Sequence, residues 1–162
     1  MKVGMVVGML VLAASLSADA QVGQELYGTW RLVSFTQQVI ATGQSEDAYG
    51  KAPQGFISYS PDGRMYAIIV RDNRPKPADL TKMTDQERAE LFRTMLAYAG
   101  TFKIEGNRVV HSVDISWNEN WTGTTQVRNF RIEGRRLVLS TGPFSGPDGR
   151  QVAVNVAWEK VQ

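Results

Sequence analysis

From Gly28 to the carboxyl terminus the chain is cut at short intervals by turn residues, and most intervening segments alternate apolar and polar side chains. This two-residue period is that of half-buried strands, and with so many reversals it dictates an antiparallel β domain built from hairpins. Gly28–Phe35 is the first such segment, with Trp30, Leu32 and Ser34 expected on one face and Arg31, Val33 and Phe35 on the other. Residues 41–53 carry Gly43, Gly50 and Pro53 among polar residues and read as a loop. Gly55–Ser60 and Arg64–Val70 flank Pro61-Asp62-Gly63, where proline presets the turn and glycine supplies the positive φ that closes it. Strands are also expected at Thr101–Glu105, Arg108–Ser116, Thr124–Glu133, Arg136–Ser140 and Gln151–Glu159. Gly106-Asn107 and Gly134 turn two of the hairpins, and residues 142–149 form a Gly- and Pro-rich loop. The last strand places Val152, Val154, Val156 and Trp158 on one face. The total is about eight strands in mostly consecutive hairpins, the pattern of an all-β, antiparallel up-and-down barrel whose interior accommodates one small ligand.

One stretch breaks the pattern. Residues 72–82 contain Pro75 and Pro77 and should be irregular. Thr84-Asp85-Gln86-Glu87 fits a capping box and starts a single inserted helix. Leu91, Phe92, Met95, Leu96 and Ala99 recur at helical spacing, and Gly100 stands as its terminator. Long ordered insertions are more often functional than decorative. Leu91, Met95 or Tyr98 is therefore expected over one barrel opening as a lid, the alternative being a helix lying flat as a brace on the outer wall.

The amino terminus reads differently. Lys2 precedes an uncharged apolar run, Val3–Leu16, and Ala18-Asp19-Ala20 has the small-x-small form of a cleavage site. Residues 1–20 are expected to be a signal peptide and residues 21–162 the single folded domain, periplasmic or secreted. The apolar run is short for a membrane span, and no cysteine follows it to carry a lipid, so no stable membrane anchor is expected after cleavage. The alternative is an uncleaved anchor.

Composition narrows the function classes. The 162 residues, 43% of them hydrophobic and 21% charged, suit one globular domain. There is no cysteine, which excludes thiol nucleophiles, redox pairs and Cys-based zinc sites, and one histidine without a carboxylate cluster makes no metal site. The net charge of +2 is unchanged by removal of Lys2 and Asp19, and the basic residues are scattered, which argues against nucleic acid. No P-loop, dinucleotide fingerprint or Ser-His-Asp order is present, so no cofactor is expected.

The chain resembles the lipocalin-like domain family of bacteria and fungi, a relative of the calycin barrels. The resemblance rests on Gly28-Thr-Trp-Arg-Leu-Val-Ser-Phe35, Gly55-Phe-Ile-Ser-Tyr-Ser-Pro-Asp-Gly-Arg-Met65, His111-Ser-Val113 and Asn120-Trp-Thr-Gly-Thr-Thr-Gln-Val-Arg128. It covers nearly all of the chain from Leu26 to Trp158. Where the family commonly has a proline before Asn-Trp, Glu119 stands here. The resemblance implies a barrel with an internal cavity and leaves the biochemical activity open.

Candidate site residues come from polar or aromatic side chains on predicted inner faces. His111 should share a face with Val113 and Ile115, either as a hydrogen-bonded core histidine, a ligand contact or a general acid–base. Arg128 shares a face with Gln126, Phe130 and Ile132, and meets either a buried carboxylate or an anionic or carbonyl group of a ligand. Trp121 is a plug over one barrel end or a pocket wall. Tyr59, Tyr66 and Tyr98 suit a pocket lining or a rim equally. The expected ligand-binding set is therefore His111, Arg128, Gln126, Trp121, Tyr59, Tyr66, Phe130, Met95 and Tyr98. Two function classes remain open. One is a binding protein for a small, largely apolar molecule. The other is a cofactor-independent isomerase, cyclase or lyase on a hydrophobic substrate, with His111 and Arg128 as candidate catalytic residues. An envelope protein acting through protein contacts is a plainer third.

Overall fold

The computed structural model describes residues 23–146 and 148–161. The expected signal peptide lies outside the described residues.

Among the described residues ten strands form one antiparallel sheet: β1 (Gly28–Val39), β2 (Ser45–Asp47), β3 (Gln54–Tyr59), β4 (Arg64–Val70), β5 (Met95–Glu105), β6 (Arg108–Ser116), β7 (Thr125–Glu133), β8 (Arg136–Ser140), β9 (Phe144–Ser145) and β10 (Gln151–Lys160). Pairing of β1 with β10 along nearly the full length of both closes a barrel of eight strands. The short β2 and β9 are additions within the two loops read from the sequence, pairing with β1 and β10 at one end of the barrel. Closure satisfies the sheet edges that an open meander would expose. The Pro61-Asp62-Gly63 turn forms as read, with Gly63 at φ 81° and the Asp62 carboxylate accepting from the Arg64 amide.

The core fills one end. Leu26, from a helical turn over residues 23–26, and Trp30 are fully buried there, and the Trp30 indole donates to the Leu26 carbonyl at 2.8 Å. Tyr59, Val109, Leu137 and Trp158 complete this closed end. Burying such side chains stabilises by about 1.5–3 kcal/mol each, so this plug makes one end of the barrel solid.

Two bulges change which side chains face inward. In β1 the register slips between Leu32 and Ser34, leaving Val33 unpaired and 46% exposed. Beyond it Phe35 pairs with Val156 and Gln37 with Val154, so Phe35 and Gln37 point inward and the alternation expected for Ser34 and Phe35 is reversed. In β6 the pairing jumps from Gly100–Val113 to Ala99–Ile115, and Ile115 turns outward to 66% exposure instead of sharing the face of His111 and Val113. Close approach at this bulge requires glycine: a Cβ on Gly100 would lie 1.9 Å from the Ser112 carbonyl oxygen.

The helix, α1 (Asp85–Arg93), begins as read, with the Thr84–Glu87 capping box formed in both directions. It ends earlier than the apolar spacing suggested. Thr94 caps it, and Arg74 donates to the Leu91 carbonyl and the Thr94 hydroxyl. Met95, Leu96, Ala99 and Gly100 belong to β5, where Leu96 pairs with Ile69 and Tyr98 with Ala67. Leu96 and Tyr98 also fit a two-residue period, and long-range pairing with β4 decides between the two readings.

Candidate ligand-binding site

Above the plug the barrel is hollow. A cavity of about 880 Å³ opens at the end opposite Leu26 and Trp30. Its walls are largely apolar and aromatic: Phe35 from β1, Tyr98 and Leu96 from β5, and Val154, Val156 and Trp158 from β10. Trp117 and Trp121 stand at the mouth, joined by the short loop after β6, and Tyr49 and Phe144 face them from the loops before β3 and β10. The polar wall residues include Gln37, Gln126, Arg128 and Thr141.

A continuous aromatic ladder connects floor to rim. Phe102 meets Tyr59 edge-on at 4.9 Å, Tyr59 and Tyr98 flank the His111 ring at 5.6 and 5.8 Å, and Tyr98 meets Trp121 at 5.7 Å. Trp121 then packs on Trp117 at 5.0 Å, and Trp117 on Phe92 of α1 at 6.4 Å. These edge-on and tilted geometries are those that aromatic quadrupoles favour.

At the centre of the ladder His111 has no exposed surface. Its Nε2 lies 2.9 Å from the Tyr59 hydroxyl and its Nδ1 2.9 Å from the Tyr98 hydroxyl. Burial, with a smaller contribution from the Arg128 charge, pushes its pKa down to about 3, so the imidazole is neutral. Burial raises both phenols, Tyr98 to about 12 and Tyr59 well above its usual value. A neutral imidazole has one donor and one acceptor nitrogen. Tyr59 is 1% exposed and His111 is its one side-chain partner among the described residues, so the arrangement that strands no buried donor has Tyr59 donating to Nε2. Nδ1–H then donates to the Tyr98 oxygen, which leaves the O–H of this cavity-lining residue without an acceptor among the described side chains.

Arg128 sits opposite Val109, and Gln126 opposite His111, on the inner face of β7. The Arg128 guanidinium donates to the Val127 carbonyl at 2.9 Å and to the Gln126 side-chain oxygen at 3.2 Å; Gln126 in turn donates to the Thr124 hydroxyl. Among the described residues Arg128 makes no ion pair, and it is the one charged side chain of the cavity wall. The buried-carboxylate partner held open in the sequence is thus replaced by an amide.

Of the residues read from the sequence, Arg128, Gln126, Trp121 and Tyr98 line the cavity together. His111 and Tyr59 lie one layer behind, reached through Tyr98. Three readings are corrected. Tyr66 alternates to the outer face of β4 and is 47% exposed. Met95 opens β5 opposite Val70 and stays off the cavity wall, because the helix ends before it. Phe130 faces inward but packs into the core rather than the cavity. The lid reading changes with them: Tyr98 is a wall residue from a strand, Leu91 is not on the cavity wall, and α1 reaches the rim through Phe92. Phe35, Gln37, Tyr49, Trp117 and Trp158 were not among the candidates. For Trp158 the signal was present in the Val152–Trp158 alternation, and for Trp117 in its four-residue spacing from Trp121.

Comparison with known proteins agrees with this architecture. The lipocalin-like domain family matches residues 27–161. The chain belongs to the lipocalin-like domain family. The chain is also 37% identical over 87 residues to a protein of Aspergillus oryzae (strain ATCC 42149 / RIB 40) named 4'-hydroxy-3'-methoxypropiophenone carrier protein ppsC. That match covers 48% of this chain and 78% of the fungal protein.

Proposed function

We propose that this lipocalin-like protein binds and carries a small, largely apolar molecule inside its barrel. The observation that carries the reading is the cavity itself: a preformed hollow of about 880 Å³ with mostly apolar and aromatic walls and a few polar groups at one side. Such a cavity takes an apolar body with little ordering cost, while sparse polar groups fix its orientation. The carrier name of the Aspergillus oryzae relative supports the same class of activity. Catalysis by His111 is disfavoured by its position, since the ring is fully buried, neutral, and separated from the cavity by Tyr98. The sequence pattern of residues 1–20 supports action after export, in the periplasm or outside the cell.

Equilibrium titration with the neutral dye Nile red tests the binding reading. Saturable binding at one site per chain is expected, and it should be lost in Ala67→Phe, which fills the cavity wall, while far-ultraviolet circular dichroism stays unchanged. Binding that does not saturate, or that survives the filling substitution in a folded protein, would place the dye elsewhere and overturn the proposal. Amino-terminal sequencing of the mature protein tests export, with Gln21 expected first.

A further inference from the structure

The cavity carries a charge that nothing in its wall balances. Arg128 is permanently protonated, and among the described residues no Asp or Glu lines the same space. The guanidinium uses two of its five N–H groups, on the Val127 carbonyl and the Gln126 amide oxygen, both neutral acceptors. The nearby imidazole cannot compensate, because His111 has no acidic proton to lose and is locked between two phenols. Beside the spare guanidinium N–H groups, the Tyr98 O–H has no acceptor in the tautomer that satisfies Tyr59, and Tyr98 lines the cavity. A cation and spare donors in an apolar space favour an anion that accepts hydrogen bonds, and the planar guanidinium fork fits a carboxylate best.

We propose that the ligand is an aromatic monocarboxylate, its ring body between Tyr98, Trp121 and the valines of β10 and its carboxylate on Arg128 and the Tyr98 hydroxyl. This rests on the cavity-binding reading above and adds the charge and shape of the occupant. Gln126 acts as a positioning residue: its amide oxygen holds one guanidinium nitrogen and leaves the others directed to the ligand. A neutral aryl ketone would engage the same donors through its carbonyl but leave the Arg128 charge unmatched.

Three probes of one shape separate these cases: anthracenecarboxylate, its primary carboxamide, and anthracenemethylamine, each titrated by fluorescence into the full folded chain at neutral pH. The carboxylate should bind at least tenfold more tightly than the carboxamide, and the amine most weakly. Arg128→Met should erase the preference for carboxylate over carboxamide while the carboxamide still binds, and Arg128→Lys should keep part of it. Tyr98→Phe should weaken the carboxylate severalfold. Equal binding of carboxylate and carboxamide, or a preference that survives Arg128→Met, overturns the anionic assignment and leaves the cavity reading intact. Failure of all three probes to bind overturns both. If Arg128→Met does not fold, the Arg128→Lys and Tyr98→Phe comparisons decide alone: an undiminished preference in both contradicts the proposal.

Discussion

The Tyr98 hydroxyl lies 2.9 Å from Nδ1 of His111, and this contact joins the wall of the cavity to the solid half of the barrel. On the other side of the ring, Tyr59 closes the bridge at Nε2 from within the core. A single fully buried histidine thus fixes the hydroxyl of a cavity-lining tyrosine without itself touching the cavity. Neutrality keeps Tyr59 satisfied, because an imidazolium would present two donors and leave the buried Tyr59 O–H without an acceptor.

That condition makes stability depend on pH. The folded pKa of His111 is depressed to about 3 from an ordinary 6.5, so the unfolded chain binds a proton that the folded chain refuses. The contribution of the neutral ring is therefore complete above about pH 6.5 and is lost as pH falls towards 3, at roughly 1.4 kcal/mol per unit. Urea unfolding midpoints measured between pH 6 and 4.5 should fall more steeply in the wild-type protein than in His111→Gln, which removes the titrating group. Parallel slopes would show that the ring is not held neutral.

The two tyrosines should separate stability from binding. Tyr59→Phe leaves a buried imidazole nitrogen without its donor and costs about 1–3 kcal/mol, with ligand affinity nearly unchanged. Tyr98→Phe costs stability and also weakens the carboxylate probe, because Tyr98, unlike Tyr59, lines the cavity. Urea denaturation beside probe titration on both variants reads the difference, and equal losses of affinity would contradict the layered arrangement.

Arg128 should stand against stability in the empty protein. Replacing an unpaired, half-buried cation by a side chain of similar length removes a desolvation cost, so Arg128→Met should raise ligand-free stability by about 1 kcal/mol. A clear loss of stability in thermal melts would mean that the two hydrogen bonds to Val127 and Gln126 outweigh the charge.

Gly100→Ala tests the β5–β6 bulge. Its Cβ would fall 1.9 Å from the Ser112 carbonyl oxygen and 2.9 Å from the Ser112 carbonyl carbon, both backbone atoms that cannot step aside. A loss of about 2–3 kcal/mol is expected. Gly142→Ala, with open space around it, should change stability by less than about 0.5 kcal/mol.

Most of the barrel was legible because turn glycines and strand alternation are local signals. The hairpin around Gly63 and the strand Arg108–Ser116 match the structure closely. What escaped depends on pairing across the sheet. The bulge at Val33 turns Phe35 and Gln37 into the cavity, and nothing in the Gly28–Phe35 segment marks an extra residue. Residues 91–99 satisfy both a helical and a strand period, and only β4, far back in the chain, selects the strand from Met95 onward. Arg128, Gln126 and Tyr98, conspicuous in the sequence as polar groups on apolar faces, lie on the cavity wall. Tyr66 was misplaced because its proximity to the turn says nothing about which face it takes.

The indole N–H resonances of the four tryptophans test the central claim most directly. Trp117, Trp121 and Trp158 belong to the cavity, whereas Trp30 is buried in the plug with its N–H bonded to the Leu26 carbonyl. On titration with anthracenecarboxylate, proton–nitrogen spectra should show the Trp158 and Trp121 indole signals moving with one common saturation curve while the Trp30 signal stays in place. A saturating titration in which Trp158 and Trp121 do not move would place the ligand outside the barrel and contradict the account.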